Sequence, residues 1–219
     1  MSRKIVLDTE TTGLNLRSGD RLIEIACIEL VNEIPTDNKF HSYINTNKRI
    51  DNSAFKVHGI SNLFLKDKPF FSEIASDLID FLGDAKLIAH NASFDISFIN
   101  KELEYIGFAK IPNSRVIDTL SIARKRFPGR AASLDALCKR FKIDLQKRDK
   151  HGALVDAQLL SLVYIELTQC IQNKLDFQSS HIKQGSPRKF STIDRDFFLS
   201  NEEQKNHSEL ITRLKLKTW

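Results

Sequence analysis

A chain of 219 residues has room for one well-buried domain of ordinary size with an appendage, and is short for two full domains. With 41% hydrophobic and 28% charged residues it has the make-up of a globular protein in water, and no apolar run approaches the roughly 20 residues a bilayer span needs. The acidic residues Asp8 and Glu10 stand where an export signal would continue its apolar stretch, so the expected compartment is the cytoplasm. Cys27, Cys138 and Cys170 form no C-x-x-C pair and read as buried, inert thiols. The 33 Lys and Arg against 28 Asp and Glu give a net charge of only +5. The distribution is more informative, because residues 121–150 hold ten Lys or Arg against three Asp. Such a segment suits either a phosphate-binding surface or a solvated helix face.

Lys4 to Leu7 is a short β-branched run that predicts a first strand, with Asp8 at its end and a turn at Thr12 and Gly13. Leu22 to Val31 predicts a second strand, and Phe40 to Ile44 alternates like a third. Phe71 to Leu82 carries apolar residues at 71, 74, 75, 78, 79 and 82, the spacing of one helical face, and Gly83 stops it. Lys86 to Ala89 predicts a short strand, Phe94 to Ile106 a helix, and Arg115 to Ile117 a further short strand. Ser133 is a cap for a helix through Arg140, and Asp156 to Ile171 is a long amphipathic helix. Strands first, then alternating strands and helices, predict a mixed sheet flanked by helices, in an α/β or α+β domain over residues 1–171.

Apolar content falls over 172–189, where QSSHIKQGSPRK reads as a flexible linker. It recovers over 190–219, where Ser200 to Glu203 fits a capping box that opens a short helix with Leu210, Ile211 and Leu214. Aromatic and aliphatic residues on a segment too short to fold alone, Trp219 included, are expected to bury against a partner or against the chain's own domain.

Asp8 and Glu10, two apart on an extended strand, project from one face and can reach one cation. Asp95 stands in the first turn of a helix after a short buried strand, and Asp156 opens the last helix of the domain. Taken singly, an acid at a helix start is as well explained by the helix dipole. Four together make an oxygen-ligand site, which selects hard divalent cations such as Mg²⁺ or Mn²⁺. Two such cations can activate water and stabilise the leaving oxygen in attack on phosphorus. His151, five residues before Asp156, is a candidate general base for that water.

D-T-E-T-T-G (8–13), H-N-A-S-F-D (90–95) and H-G-A-L-V-D (151–156) resemble, in order and context, the three motifs of the DEDDh exonuclease superfamily. F-P-G-R (127–130), S-L-D-A-L-C (133–138) and L-V-D-A-Q (154–158) look most like the proofreading epsilon subunits of bacterial DNA polymerase III. The resemblance implies an α/β ribonuclease H-like fold, two divalent cations and stepwise release of 5′-mononucleotides from a DNA 3′ end. It implies that Asp8, Glu10, Asp95 and Asp156 hold metal, that His151 acts as base, and that Asp8, Glu10, Asp156 and His58 contact the substrate. Ser53 stands where relatives can carry a substrate-contacting glutamate, a departure from the family pattern. Thr9, Thr11 and Thr12 are further candidates around the terminal nucleotide. Gln172, Leu175 and Phe177 fit Q-x-x-L-x-F, the peptide by which replication proteins dock on the bacterial sliding clamp, and residues 190–219 resemble the tail that binds the polymerase (alpha) subunit. The rivals are a DEDDh ribonuclease of the oligoribonuclease or tRNA-trimming type, and a non-catalytic replication scaffold.

Overall fold

The computed structural model describes residues 2–144, 151–172 and 200–214. The chain forms two compact units, residues 1–175 and 176–219. In the first, five strands make one sheet in the order β3-β2-β1-β4-β5, with β1 Arg3–Thr11, β2 Leu22–Val31, β3 Ile34–Tyr43, β4 Lys86–Ala89 and β5 Val116–Asp118. The first three are antiparallel, and β4 and β5 add in parallel. The sheet is therefore mixed, as the order of elements predicts. Asn32 and Glu33 both take positive φ, 51° and 66°, the two-residue hairpin turn whose twist matches its strands.

Helices cover both faces. On one side α3 Phe71–Leu82 and α4 Ser93–Tyr105 bury Phe71, Leu78, Phe98 and Leu103 against Ile5 and Leu7. On the other α5 Thr119–Arg126, α6 Leu134–Phe141 and α7 Ala153–Gln172 bury Leu137, Leu160, Val163 and Leu167 against Val6 and Ile88. Successive residues of β1 thus serve opposite cores, as strand geometry requires. Two short helices, α1 Asn52–His58 and α2 Asn62–Leu65, pack as a smaller cluster on Ile23. Cys27 and Cys138 are buried free thiols, and burial raises both, Cys138 to about 11. The side chain of Cys170 lies outside those described.

The predicted bounds of β2, α3 and β4 coincide with those observed. β1 runs to Thr11 instead of ending at Leu7, because β2 pairs with it past both acids. β3 begins at Ile34 rather than Phe40, and α7 opens at Ala153, three residues before Asp156. Helices α1, α2 and α5 lack any counterpart in the sequence reading.

In the second unit α8 Asn201–Leu214 opens with the expected capping box. The Ser200 amide donates to Glu203 Oε2 at 2.8 Å, and the Glu203 amide to Ser200 Oγ at 3.3 Å. Leu175, Phe177 and Trp219 lie outside the described residues, and Gln172 ends α7. Among the described residues no helix is long and apolar enough to cross a membrane.

One ion pair ties α4 to the start of β2. Glu102 is 3% exposed and receives Arg21 Nε at 2.6 Å and Nη2 at 2.5 Å. The Arg21 guanidinium also lies 4.8 Å from the Tyr105 ring. Removing Arg21 strands a buried carboxylate, so Arg21→Ala is expected to cost about 2–3 kcal/mol, below the roughly 3–5 of a fully buried pair because Arg21 is partly solvated. Denaturant unfolding of wild type and variant measures it, and a loss under about 0.5 kcal/mol, the range of ordinary surface changes, would refute it.

Candidate active site

Parity along β1 sets the site. Val6 faces α7, so Asp8 and Glu10 face it too, whereas Thr9 faces α4. The first turn of α7 comes close to the sheet because the residues there are small: Ala153 and Ala157, both fully buried, pack on Ala26 and Ile28 of β2. Asp156 shares that turn and is 4% exposed. Just before it, the His151 amide donates to the Val57 carbonyl at 3.3 Å, which anchors the segment to the end of α1. His151 Nδ1 is 3.1 Å from Asp156 Oδ2, and the ring stays half exposed.

Glu10, His151 and Asp156 each offer a ligand atom within 4.8 Å of the others. Asp95 reaches the group from the α4 side, where Thr9 Oγ1 donates to its Oδ1 at 2.7 Å. Burial, then the charges of Asp95, Asp156 and Glu10, push the Asp8 carboxyl well above its usual range. Asp95 is pushed up to about 7 by burial, against the Thr9 hydrogen bond. All five predicted residues are therefore neighbours. The donor set, three or four carboxylates and one imidazole, fits a hard divalent cation, and the mutual repulsion is a cost that protonation or a bound cation would relieve.

His58 is 6% exposed at the end of α1. Its Nδ1 accepts from the Ile60 amide at 2.9 Å, which leaves the proton on Nε2, a buried atom with no hydrogen bond of normal geometry. Burial lowers its pKa, so the ring is neutral. Ser53 sits exposed in the first turn of α1. The three threonine hydroxyls serve the fold: Thr9 holds Asp95, Thr11 donates to the Gly13 carbonyl at 2.7 Å and Thr12 to Asp20 at 3.1 Å. Gly13 is required by close approach, since a Cβ there would meet Asp20 Oδ2 at 2.5 Å and Asp51 Oδ2 at 2.7 Å.

Two acids escaped the sequence reading. Glu24, 2% exposed, stands opposite Glu10 in the β1–β2 register, binds His41 Nε2 at 2.7 Å and adds its charge to those that raise Asp8. Asp118, at the end of β5, accepts from the amides of Asn91, Ala92 and Leu120 at 3.0, 3.3 and 3.0 Å. Burial alone would raise its pKa, but these amides and the Ser121 hydroxyl hold it below its usual value. It fixes the H-N-A-S-F-D loop, in which Asn91 has φ of 63°, and so aims Asp95. The available signal was an acid between a strand and a helix, a cap pattern.

A cleft of about 550 Å³ opens on this cluster, lined by Asp8, His151 and Asp156 together with His90, Arg124 and Arg130. Its size is that of a small-ligand site.

The sequence pattern of the exonuclease family (RNase_T) matches residues 5–164. DNA polymerase III subunit epsilon of Rickettsia conorii is 44% identical over 225 aligned residues, covering 99% of this chain and 97% of that one. The subunit of the same name from Escherichia coli K12 is 47% identical over 176 aligned residues, covering 77% of this chain and 72% of its own. Among solved structures, exonuclease X in complex with 5′-overhanging duplex DNA superposes with a TM-score of 0.59 at 26% identity, over 78% of this chain and 92% of that one. The nuclease domain of 3′hExo, a DEDDh family member bound to rAMP, gives 0.65 at 16% identity over 77% and 92%, a likeness of fold alone. With a mixed sheet flanked by helices, the acids of all three motifs brought within one another's electrostatic reach, and a relative matched along nearly the whole length, the chain belongs to the exonuclease family, among the epsilon subunits of DNA polymerase III.

Proposed function

We propose that the chain is the proofreading 3′→5′ exonuclease of a bacterial DNA polymerase III, hydrolysing the terminal phosphodiester of a DNA strand and releasing nucleoside 5′-monophosphates. The observation that carries this reading is the grouping of Glu10, Asp156 and His151 within 4.8 Å, beside Asp8 and Asp95. Exonucleases of this family depend on divalent metal; here we assign two ions, Mg²⁺ or Mn²⁺, with Asp8, Glu10 and Asp156 as direct ligands and Asp95 completing the second position. Bound there, they supply the charge that activates water and stabilises the leaving 3′ oxygen. With Nδ1–H directed at Asp156, His151 keeps a lone pair on Nε2 and takes the proton from the attacking water. His58, neutral and with Nε2–H to donate, holds the terminal nucleotide. Frayed, mispaired ends reach such a cleft more readily than paired ones, which selects errors without reading sequence.

The length of the match supports an assignment of the partners. Residues 190–219 are assigned to the polymerase subunit, because similarity to the Rickettsia conorii subunit runs through 99% of this chain. Gln172, Leu175 and Phe177 are assigned to the sliding clamp, and Trp219 to the polymerase contact. In the tail, Leu210 on α8 is half exposed, as a residue awaiting a partner would be.

Full-length protein with Mg²⁺ should release mononucleotides from a 3′-mismatched primer, faster than from the equivalent RNA end. Asp8→Ala is expected to lower the rate on the order of 10²–10³-fold or more, and His151→Ala on the order of 10²–10⁴-fold. No hydrolysis by wild type in Mg²⁺ or Mn²⁺ would sink the reading. The metal has a second readout. Because Asp8 and Asp95 are raised in the folded state, the metal-free fold binds more protons than the unfolded chain between about pH 4 and 7, and their contribution to stability is lost as pH rises through that window. Mg²⁺ should therefore raise the melting temperature more at pH 8 than at pH 5, and an equal gain at both would argue against metal on these acids. Truncation after Phe177 should spare hydrolysis and abolish capture of the polymerase subunit; continued capture would remove the tail assignment.

A further inference from the structure

We propose that Arg124 and Arg130 form a phosphate-binding rim of the catalytic cleft, holding the internucleotide phosphate on the 5′ side of the one being cleaved. This rests on the nuclease reading and adds two residues and a strand path to it.

Both arginines line the cleft that holds Asp8, His151 and Asp156. Arg124 projects from the last turn of α5, and Arg130 follows the turn that ends it. That turn is fixed: Gly129 takes φ of 71°, the Arg130 amide donates to the Phe127 carbonyl at 3.2 Å, and the Phe127 ring lies under Arg140 at 4.2 Å. F-P-G-R is thus a built corner.

The other arginines of the basic segment in this region have structural work. Arg126 donates to the Glu166 and Leu167 carbonyls at 2.8 and 2.9 Å, and Arg140 stacks on Phe127. Arg124 and Arg130 are exposed, and neither has a hydrogen bond or ion pair to a described residue. Among the described arginines of that segment, the two without an internal role are therefore those that line the cleft with the acids.

A guanidinium fork matches a phosphate in a way that an amine does not, and two of them on a fixed corner can hold a phosphodiester bidentately. Phosphate contacts position a strand without reading its bases, which suits an enzyme that must accept any terminal nucleotide. The rim also supplies attraction where the carboxylate cluster supplies repulsion.

The test uses the full chain in Mg²⁺ with a single-stranded oligonucleotide. Arg124→Ala with Arg130→Ala should raise KM on the order of tenfold and lessen the slope of log(kcat/KM) against log salt by roughly 0.7 per lost phosphate contact. A neutral methylphosphonate at the linkage 5′ of the scissile one should raise the wild-type KM by a similar factor and change the double variant's KM by less than twofold. Wild-type KM and salt slope in a double variant that melts normally would overturn the rim. If the variant does not fold, an unchanged wild-type KM for the methylphosphonate substrate would overturn it instead. Hydrolysis of thymidine 5′-p-nitrophenyl phosphate by wild type separates the two readings, because that ester has no internucleotide linkage. Failure there in Mg²⁺ and Mn²⁺ removes the nuclease reading, and success with no arginine effect removes only the rim.

Discussion

Repulsion among buried carboxylates is the constraint around which this domain is built. Asp95 and Asp156 are each about 4% exposed, Glu24 less, and Asp8 carries the field of its neighbours in a raised pKa. Left to themselves such groups protonate or move apart, since burying a charge without a counter-charge costs more than a small domain can spare. The fold prevents the second escape. Asp8 and Glu10 are locked by the pairing of β1 with β2, Asp95 by the Thr9 hydroxyl, and Asp156 by alanine packing under the first turn of α7. Only protonation or a cation remains.

The supporting residues follow the same logic at one remove. Asp118 organises the amides of the loop that carries Asp95, and the acids Asp20 and Asp51 crowd Gly13 so closely that no side chain fits there. Asp20 in turn accepts from Thr12 and from the Asn15 amide, so the turn after β1 is closed by side chains and not by backbone alone. Acids with amide and hydroxyl partners are stable where they stand. The chain thus sets carboxylates held by amides and hydroxyls close to the cluster whose summed charge raises Asp8.

Much of this was legible in the sequence, and what was not has a physical reason. The ends of α3 could be read because its apolar residues repeat at helical spacing and a glycine follows, and β2 because nearly every residue is buried. The reading of β1 stopped at Asp8 because it followed apolar residues, whereas the strand follows hydrogen bonds and continues through Thr11. Half of β3 was missed because it is an exposed edge whose only support is its pairing with β2. Helices of seven and four residues, α1 and α2, carry too little periodicity to announce themselves and are held by contacts elsewhere. The five site residues were visible because three motifs named them. Glu24 was not, since a glutamate within an otherwise apolar strand looks like a solvent-facing residue until the register puts it opposite Glu10.

The distribution of exposure within the site also constrains the order of events. Asp95 and Asp156 are buried and Asp8 and Glu10 partly so, while His151 stays half exposed, so the group proposed to exchange protons with water is the one that water can reach. An anionic strand end brought to the acids without cations would add a further negative charge to a cluster that already resists ionisation. On the proposed assignment of metal to these acids, metal binding would precede seating of the strand end, and affinity for the substrate would be coupled to affinity for the metal through the same carboxylates. By linkage, a strand end that seats well must in turn tighten metal binding, so a frayed terminus that reaches the acids promotes its own cleavage, while a paired terminus that stays outside does not.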